Sequence, residues 1–575
     1  MKSLDLSAEF QIHPGPSADA YEHALADLTS ARAAERIWAR EGAFWSNDAQ
    51  AIDEIEARLG WLDLPAHLTA LRPSLERFAQ QVRDAGITQA LLLGMGGSSL
   101  APEVLRLVFG VRPGWLDLRV VDTTDPIEVR DAAAQGDLAH TLIVVSSKSG
   151  TTAETRAQYL YFRSRLQEAV GSAWPQHFCV ITDPGTPLAA LARQENLLAL
   201  FDGVSDVGGR FSALSVFGML PAALLGVDLR RLARFARLSA ASTQPEHVLE
   251  RNTALQFGAL MGGLARQSHH PRNKLTLLSS PRLRSFGAWA EQLVAESTGK
   301  RGTGIVPIDD EPHTSLAAAD DRLFVYMRLD GDDNAAGDAR ARTLVTDGQP
   351  LVYLRLRNPY ALGAEFVRWE FATAVAGQLL GVNPFDQPDV EAAKQQARRA
   401  LAQYESAHHL DEPEPVLEDG HFALHGAPAR VSDTVATYIR RWIDENAQPG
   451  GYVAITAYVD RSPQQTAALT ALRAALARRT RLATTLGFGP RFLHSTGQLH
   501  KGGPRGGLFL QITRDDADHD LPIPGEVYTF GVLKRAQALG DLAALRAAGR
   551  TVLRIHLKGD GTDGIVGLAE ILAAI

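Results

Sequence analysis

The sequence contains one cysteine, Cys179, among 575 residues. A single cysteine cannot form a disulfide within the chain, and it offers no cysteine cluster for zinc. The segment from Met1 to Pro14 carries acidic residues and lacks an apolar core flanked by positive charge, so it does not predict a signal peptide. We therefore expect a cytoplasmic protein.

Long hydrophobic runs are also missing. The longest uncharged apolar stretch, residues 211–227, is shorter than the ~20 residues of a spanning helix and contains Ser212 and Pro221. We expect it to be a buried helix and expect no membrane partner.

An excess of positive charge is absent as well. The chain has 58 Lys and Arg against 66 Asp and Glu, giving a formal net charge of −8 and a pI near 6.1. Nucleic-acid-binding domains usually present a net basic face, so a nucleic-acid partner is not expected. A small anionic substrate is still compatible, because one pocket can be basic on an acidic protein.

Metal motifs are incomplete. Asp330, Asp332 and Asn334 match the start of a calcium-binding loop, but Ala335 and Ala341 occupy the positions that need glycine and glutamate. We therefore expect no metal and no cofactor.

The remaining composition, 45% apolar and 22% charged, is ordinary for a globular protein of several domains. Short apolar runs that alternate with helical patterns predict an α/β fold with two doubly wound parallel sheets. The predicted organisation is a helical segment over 1–85, α/β domains over 86–245 and 246–406, and a C-terminal α+β domain over 407–575.

Local sequence patterns predict the individual helices and strands. Helices are predicted in the N-terminal segment over 20–41, 50–59 and 66–84. Strands are predicted at 90–93, 117–121, 141–145 and 178–181 in the first domain, at 275–278, 304–308, 323–328 and 351–356 in the second, and at 452–459, 482–487, 507–513, 528–533 and 551–557 in the third.

Two loops have the composition of a phosphate site. The first, 94–99, is glycine-rich and includes Gly97 and Ser98 before a helix, whose free N–H groups favour an anion. It matches neither a dinucleotide fingerprint nor a P-loop, and a simple tight turn is an equally good interpretation. The second, 146–152, combines five hydroxyl side chains with Lys148 and Gly150. A capping box with Glu154 is the alternative there, but it needs only one or two hydroxyls.

These loops resemble those of the sugar-isomerase (SIS) fold, and three further segments are similar to the glucose-6-phosphate isomerase family. They are 206–212 with Arg210, 295–300 with Glu296, and 385–394 with Gln387 and Lys394. The resemblance covers roughly residues 90–400. The C-terminal part looks closest to the isomerase half of transaldolase and glucose-6-phosphate isomerase fusion proteins, and no residues remain for the transaldolase barrel.

The resemblance implies a role for each matched residue. It implies that Glu296 is the base, that Arg210 stabilises the enediolate, and that Lys394 is associated with ring opening. The implied substrate-binding residues are Gly97, Ser98, Ser147, Lys148, Ser149, Thr152, Gln292 and Gln387. The chemistry agrees, because a carboxylate can move a proton between adjacent carbons and a guanidinium can stabilise the resulting charge.

The family's ring-opening histidine has no counterpart in the expected interval, where His313 lacks the family context. A similar segment occurs at 494–503, and it predicts that His500 supplies this group from the C-terminal domain, with His494 as the competitor. An imidazole suits the step because its ordinary pKa lies near neutrality.

The implied activity is the reversible isomerisation of glucose 6-phosphate and fructose 6-phosphate. Two alternatives stay open: a non-catalytic sugar-phosphate sensor, and an isomerase that acts on mannose 6-phosphate or an amino-sugar phosphate. The resemblance also leaves open whether the chain forms a homodimer.

Overall fold

The computed structural model describes residues 4–247, 249–312, 320–516, 519–559 and 561–574. These residues form three β-sheets that are flanked by helices, preceded by a mainly helical segment. His313 lies outside the described residues. Within the described ranges, no helix combines the length and the apolar content needed to cross a membrane.

The N-terminal segment is helical where the pattern predicts it, although the helix predicted over 20–41 is divided into two, and it contains one strand that the pattern did not predict. Its elements are β1 (Phe10–His13), α1 (Ala18–Ser30), α2 (Ala33–Trp38), α3 (Ala49–Glu56) and α4 (Leu64–Asp84).

The first α/β unit has five parallel strands in the order β3-β2-β4-β5-β6. This is a doubly wound sheet whose topological switch point lies between β2 and β4, where ligands bind at the carboxyl ends of strands. Its elements are β2 (Gln89–Leu93), α5 (Leu100–Phe109), β3 (Asp117–Val121), α6 (Pro126–Ala134), β4 (Thr141–Ser146), α7 (Ala153–Val170), β5 (Phe178–Thr182), α8 (Pro187–Gln194), β6 (Ala199–Asp202), α9 (Val216–Leu224) and α10 (Leu229–Ser242).

The second unit has the sheet order β1-β10-β9-β7-β8. Strand β1 pairs antiparallel with β10, so the N-terminal segment completes this sheet, and Phe10 and Ile12 pack against its core. The unit's elements are α11 (Thr253–Ala265), β7 (Lys274–Ser279), α12 (Phe286–Thr298), β8 (Val306–Ile308), β9 (Arg322–Leu329), α13 (Ala335–Thr346), β10 (Leu351–Leu356), α14 (Leu362–Leu379) and α15 (Val390–Ala407).

The C-terminal unit is also α/β, which corrects the expectation of an α+β layer. Strands β14, β13, β15 and β16 are parallel, and β12 and β11 add an antiparallel edge. Its elements are β11 (Leu417–Glu418), β12 (Phe422–His425), α16 (Val435–Asn446), β13 (Tyr452–Tyr458), α17 (Pro463–Thr480), β14 (Ala483–Phe488), α18 (Gly497–Gly502), β15 (Gly507–Arg514), α19 (Phe530–Ala547), β16 (Thr551–Leu557) and α20 (Gly561–Ala573).

The strand predicted at 528–533 is wrong, because helix α19 begins there. The Thr529 side chain accepts a hydrogen bond from the Val532 N–H and caps the helix. Phe530 and Leu533 pack into the core of the first unit, where Phe530 contacts Tyr161. The apolar residues that suggested a strand are therefore an interdomain helix face.

Candidate active site

The glycine-rich loop after β2 lies close to the loop that carries Arg210. A Cβ atom on Gly97 would lie 2.1 Å from the carbonyl oxygen of Gly209, so only glycine fits at this crossing. Ser98 is buried beside it, and its carbonyl accepts a hydrogen bond from the Ser146 hydroxyl at the end of β4. The two loops after β2 and β4 thus meet at the switch point of the first sheet.

The loop after β4 presents hydroxyls at the start of α7. The hydroxyls of Ser147 and Thr152 are 3.0 Å apart, and the Gly150 N–H donates to Ser147 Oγ at 3.2 Å. Thr152 precedes the helix but its side chain makes no capping hydrogen bond. The N–H groups of the first turn and the loop hydroxyls are therefore arranged for an anion, as at other helix starts.

Lys148 lies in the same loop but extends away from these hydroxyls. Its Nζ donates to the Asp183 carboxylate and, at 3.1 Å, to the carbonyl of Val204. Ser149 and Thr152, by contrast, line a cavity between the first unit, helix α15 and the C-terminal unit. The structure thus separates Lys148 from the neighbours with which the sequence grouped it.

Arg210 and Glu296 are brought together behind the loops. Arg210 Nη1 is 3.5 Å from Glu296 Oε2 and donates to Gln387 Oε1 at 2.9 Å. Arg210 Nε donates to the Ser297 hydroxyl at 2.8 Å. Arg210 is only 3% exposed and Glu296 7%, whereas Gln387 lies at the exposed edge of the group. Three residues that lie far apart in the sequence, Arg210, Glu296 and Gln387, therefore form one polar cluster with a buried centre.

Burial raises the pKa of Glu296 above its ordinary value, and the guanidinium of Arg210 opposes that rise. A raised pKa makes the carboxylate a stronger base than an exposed glutamate. Gln292, one helical turn earlier on α12, donates through Nε2 to Glu296 Oε2 at 3.3 Å and to the His494 carbonyl at 2.7 Å. Gln292 thus connects the base to the C-terminal unit.

The two candidate histidines have different surroundings. The His500 ring lies in the interior against Phe492 and Phe509, with ring centroids 5.7 and 5.2 Å away. It is 3% exposed, its Nδ1 has no hydrogen-bond partner among the described residues, and burial holds its pKa well below 6.5. His494 instead lines the cavity beside Ser149 and Thr152. The sequence placed the family role on His500, whereas the structure places His494 at the cavity.

Glu154 holds the His494 ring. His494 Nε2 is 2.8 Å from Glu154 Oε1, which also accepts from Gln537 Nε2 at 2.7 Å. Burial opposes ionisation of Glu154, yet the adjacent His494 keeps the pKa of this carboxyl below its ordinary 4.5. An ionised carboxylate only accepts hydrogen bonds, so Nε2 carries the proton and Nδ1 is free to accept one.

Lys394 lies on α15 at the same cavity, with Glu154 and His494 among the other lining residues. Its side chain is 45% exposed, and its Nζ is 3.9 Å from a Glu391 carboxylate oxygen. A half-exposed pair at that distance constrains the ammonium little. Lys394 is therefore free to contact a bound anion.

Comparison with known proteins agrees with this geometry. A family model described as phosphoglucose isomerase matches residues 73–310. A glucose-6-phosphate isomerase of Rubrobacter xylanophilus is 31% identical over 388 residues, which cover 58% of this chain and 87% of the relative. One of Thermus thermophilus is 32% identical over 400 residues, covering 60% and 90%. The chain belongs to the glucose-6-phosphate isomerase family.

A solved structure supports the same fold. The crystal structure of a hypothetical protein from Thermus thermophilus superposes with a TM-score of 0.58 at 27% identity, covering 68% of this chain and all of that one. The segment that the family model matches, 73–310, contains the loops 94–99 and 146–152 as well as Arg210, Gln292 and Glu296. His494 lies outside that segment.

The sequence analysis did not predict three polar residues of the candidate active site: Glu154, Gln537 and Lys300. Glu154 was considered only as a helix cap, and Gln537 follows a segment that suggested a strand. Lys300, at the end of the glutamate segment, is buried with Nζ 2.7 Å from Asp386 Oδ1, and burial lowers its pKa to about 7. The residues after Glu296 were the only signal for Lys300, and no local signal exists for Gln537.

Proposed function

We propose that this protein interconverts glucose 6-phosphate and fructose 6-phosphate through ring opening and a cis-enediol intermediate. The observation that carries the proposal is the buried contact between Arg210 and Glu296, with Gln387 at its edge, next to the hydroxyl loops of the first unit. A phosphate-binding module without chemistry does not need a buried base whose pKa is raised beside a fixed guanidinium.

The sugar phosphate is held by the loops after β2 and β4. Hydroxyls of Ser147, Ser149 and Thr152 and the N–H groups at the start of α7 donate to phosphate oxygens. Ser98 and Gly97 form the neighbouring wall. Lys148 contributes through long-range charge, since its ammonium is bound to Asp183.

Ring opening is assigned to His494 in place of His500. With Nε2–H donated to Glu154, Nδ1 takes the proton of the anomeric hydroxyl, and the imidazolium that forms gives a proton to the ring oxygen. Lys394, at the same cavity, stabilises negative charge that develops on the sugar oxygens. His500 lacks access to this cavity, and burial disfavours its charged form.

Proton transfer is assigned to Glu296. Its carboxylate removes the proton from C2 of the open aldose and returns it to C1. The enediolate charge is stabilised by Arg210, which is fixed by Ser297 and Gln387 and shielded from water. Gln292 keeps the carboxylate oriented. A cytoplasmic location, expected from the sequence, forms part of this proposal.

The deciding experiment replaces Glu296 with glutamine, which preserves shape and removes the base. We expect the isomerisation rate in a coupled assay to fall by roughly 10²–10⁴-fold, while binding of 6-phosphogluconate, an open-chain anionic analogue, persists. Wild-type rates in Glu296→Gln would refute the mechanism. Binding without turnover in the wild-type protein would favour a sensor, and mannose 6-phosphate and glucosamine 6-phosphate as substrates test the alternative specificities.

A further inference from the structure

Gln537 on α19 extends from the C-terminal unit into the candidate site of the first unit. It is 6% exposed, and its Nε2 donates to Glu154 Oε1 at 2.7 Å. The same oxygen lies 2.8 Å from His494 Nε2. Neither the matched segment 73–310 nor the resemblance assigns a role to this glutamine.

The orientation of the Gln537 amide is fixed from its other side. The hydroxyl of Thr124, which is fully buried, lies 2.9 Å from Gln537 Oε1 and donates to it. Turning the amide over would bring its oxygen against the Glu154 carboxylate, and two acceptors cannot bond each other. The Nε2 atom therefore faces Glu154 permanently.

Two donors on one carboxylate oxygen leave it little freedom. Without Gln537, the oxygen would lose one of its two side-chain donors, and the buried carboxylate would gain alternative rotamers and water as a competing partner. Residues behind a functional imidazole commonly set its tautomer and ring orientation.

We infer that Gln537 is a positioning residue of the ring-opening step, acting through Glu154 to keep His494 protonated on Nε2 and able to accept a proton on Nδ1. The inference rests on the proposed role of His494. It gives the C-terminal unit two parts in the reaction, because that unit supplies both the histidine and the clamp on the histidine's carboxylate partner.

The test is Gln537→Met, which keeps an unbranched side chain of similar size and removes the donor. We expect kcat for glucose 6-phosphate to fall roughly tenfold, a fraction of the effect of removing an acid–base group outright. The affinity for 6-phosphogluconate, which needs no ring opening, should change by less than about twofold. In protein labelled with ¹⁵N-histidine, the His494 signals, assigned by their loss in His494→Gln, should shift from a single tautomer to a mixture.

The matched control is Gln511→Met. Gln511 is a buried glutamine of the same unit that donates to the Ala538 carbonyl on α19, one residue beyond Gln537, and no hydrogen bond joins it to Glu154 in the described part of the chain. It should leave kcat and the His494 signals unchanged. An equal loss in both variants would show that α19 packing is responsible and would overturn the inference, as would unchanged kcat and His494 signals in Gln537→Met.

A second variant covers the case in which Gln537→Met does not fold. Thr124→Val releases the amide oxygen and should move both readouts in the same direction by a smaller amount, and no movement would count against the inference. Unimpaired ring opening in His494→Gln would refute the proposed role of His494 alone, whereas the tautomer measurement reports on Gln537 without requiring activity.

Discussion

The first and C-terminal units share a strand order and use it differently. Among the parallel strands of each sheet, the first in the chain lies between the second and the third, which creates a crevice at the carboxyl ends of β2 and β4 in one and of β13 and β15 in the other. The first crevice carries small hydroxyl residues. In the second, Arg461 after β13 and Arg514 at the end of β15 are ion-paired with carboxylates of the first unit.

These carboxylates lie in the segment between β3 and α6 and in the first turn of α6. Asp122 contacts Arg461 at 2.8 Å and Arg491 at 3.1 Å, while Asp125 contacts Lys534 at 2.6 Å. Glu128 contacts Arg461 at 2.9 Å. A doubly wound crevice that carries basic side chains can therefore serve as a docking surface, and here the docking brings His494 and Gln537 to the hydroxyl-bearing crevice of the first unit.

The largest stability effect is expected from removing one docking carboxylate. Asp125→Asn keeps a side chain that can cap α6 but leaves Lys534 and Arg514 without its charge. Losing one partner of a buried ion pair costs about 3–5 kcal/mol. Guanidinium unfolding should show this loss, and isomerase activity should fall with it because His494 is no longer held in place.

The pH dependence of that loss has a definite sign. Burial opposes ionisation of Asp125, but Lys534 and Arg514 hold its pKa below the ordinary 3.8. A lowered pKa in the folded state stabilises above the unfolded value and is lost as pH falls through the folded value. The difference between variant and wild type should therefore persist at neutral pH and vanish only in strong acid. Asp137→Asn, which alters an exposed cap, should have almost no effect, and an equal loss there would contradict the docking argument.

The next largest effect is expected from replacing hydroxyl side chains in the loop after β4. Ser147→Ala combined with Thr152→Val removes two hydroxyl donors, each worth about 1.5–3 kcal/mol to a charged acceptor. We expect kcat/KM for glucose 6-phosphate to fall about 100-fold or more with little change in the free energy of unfolding. Steady-state kinetics and denaturant titration measure the two quantities.

The control for this double substitution is on β15, the strand of the C-terminal sheet that corresponds to β4. Thr513 is near the end of β15, and its hydroxyl is 3.0 Å from His556 Nδ1. Thr513→Val should leave kcat/KM within about twofold of wild type. A comparable kinetic loss would mean that the C-terminal crevice also contributes to substrate binding.

The smallest effect concerns a cavity where the second and C-terminal units meet. Burial raises the pKa of Glu291 to about 8 and that of Asp309 to about 7, in a cavity that they share with Arg473 and Arg491. A carboxyl with a raised folded pKa stabilises at low pH and loses that contribution as pH rises through the folded value. The free energy of unfolding should thus decline between pH 6 and pH 8.5.

Glu291→Gln should flatten this decline, because the variant carries no proton to lose. Denaturant titrations at the two pH values measure the slope, and the exposed Glu168→Gln serves as the reference. A slope unchanged by Glu291→Gln would show that this carboxyl is not the group responsible.

Much of the fold was predictable because its signals are local. The strands at 117–121 and 351–356 match the structure at both ends. The second is a buried parallel strand, which reads as a nearly continuous apolar run, and the first is a partly buried edge strand with a short run of branched apolar residues. The edge strand β1 and the start of α19 were not predicted, because their apolar residues are explained by partners from other units. The parallel arrangement of the C-terminal sheet also depends on pairing that no single segment encodes.

In the candidate site, too, some contacts could be predicted from the local sequence and others could not. Gln292 and Glu296 are four residues apart on one helix, so their contact follows from helix geometry. The direction of the Lys148 side chain was not encoded in its loop, because the Asp183 that binds it lies 35 residues away. His500 and His494 occur in one short segment, and only packing decides which of them reaches the cavity.

The sequence by itself predicted the two hydroxyl-bearing loops and the candidates Glu296 and Arg210, because each is a short pattern of residue types tied to a strand end or a helix face. The tertiary structure alone decided that His494 lines the cavity and that Glu154 and Gln537 contact each other behind it. Glu154 and His494 are 340 residues apart. Contacts over such separations depend on how the units dock, and docking depends on buried charge and shape that no local pattern carries.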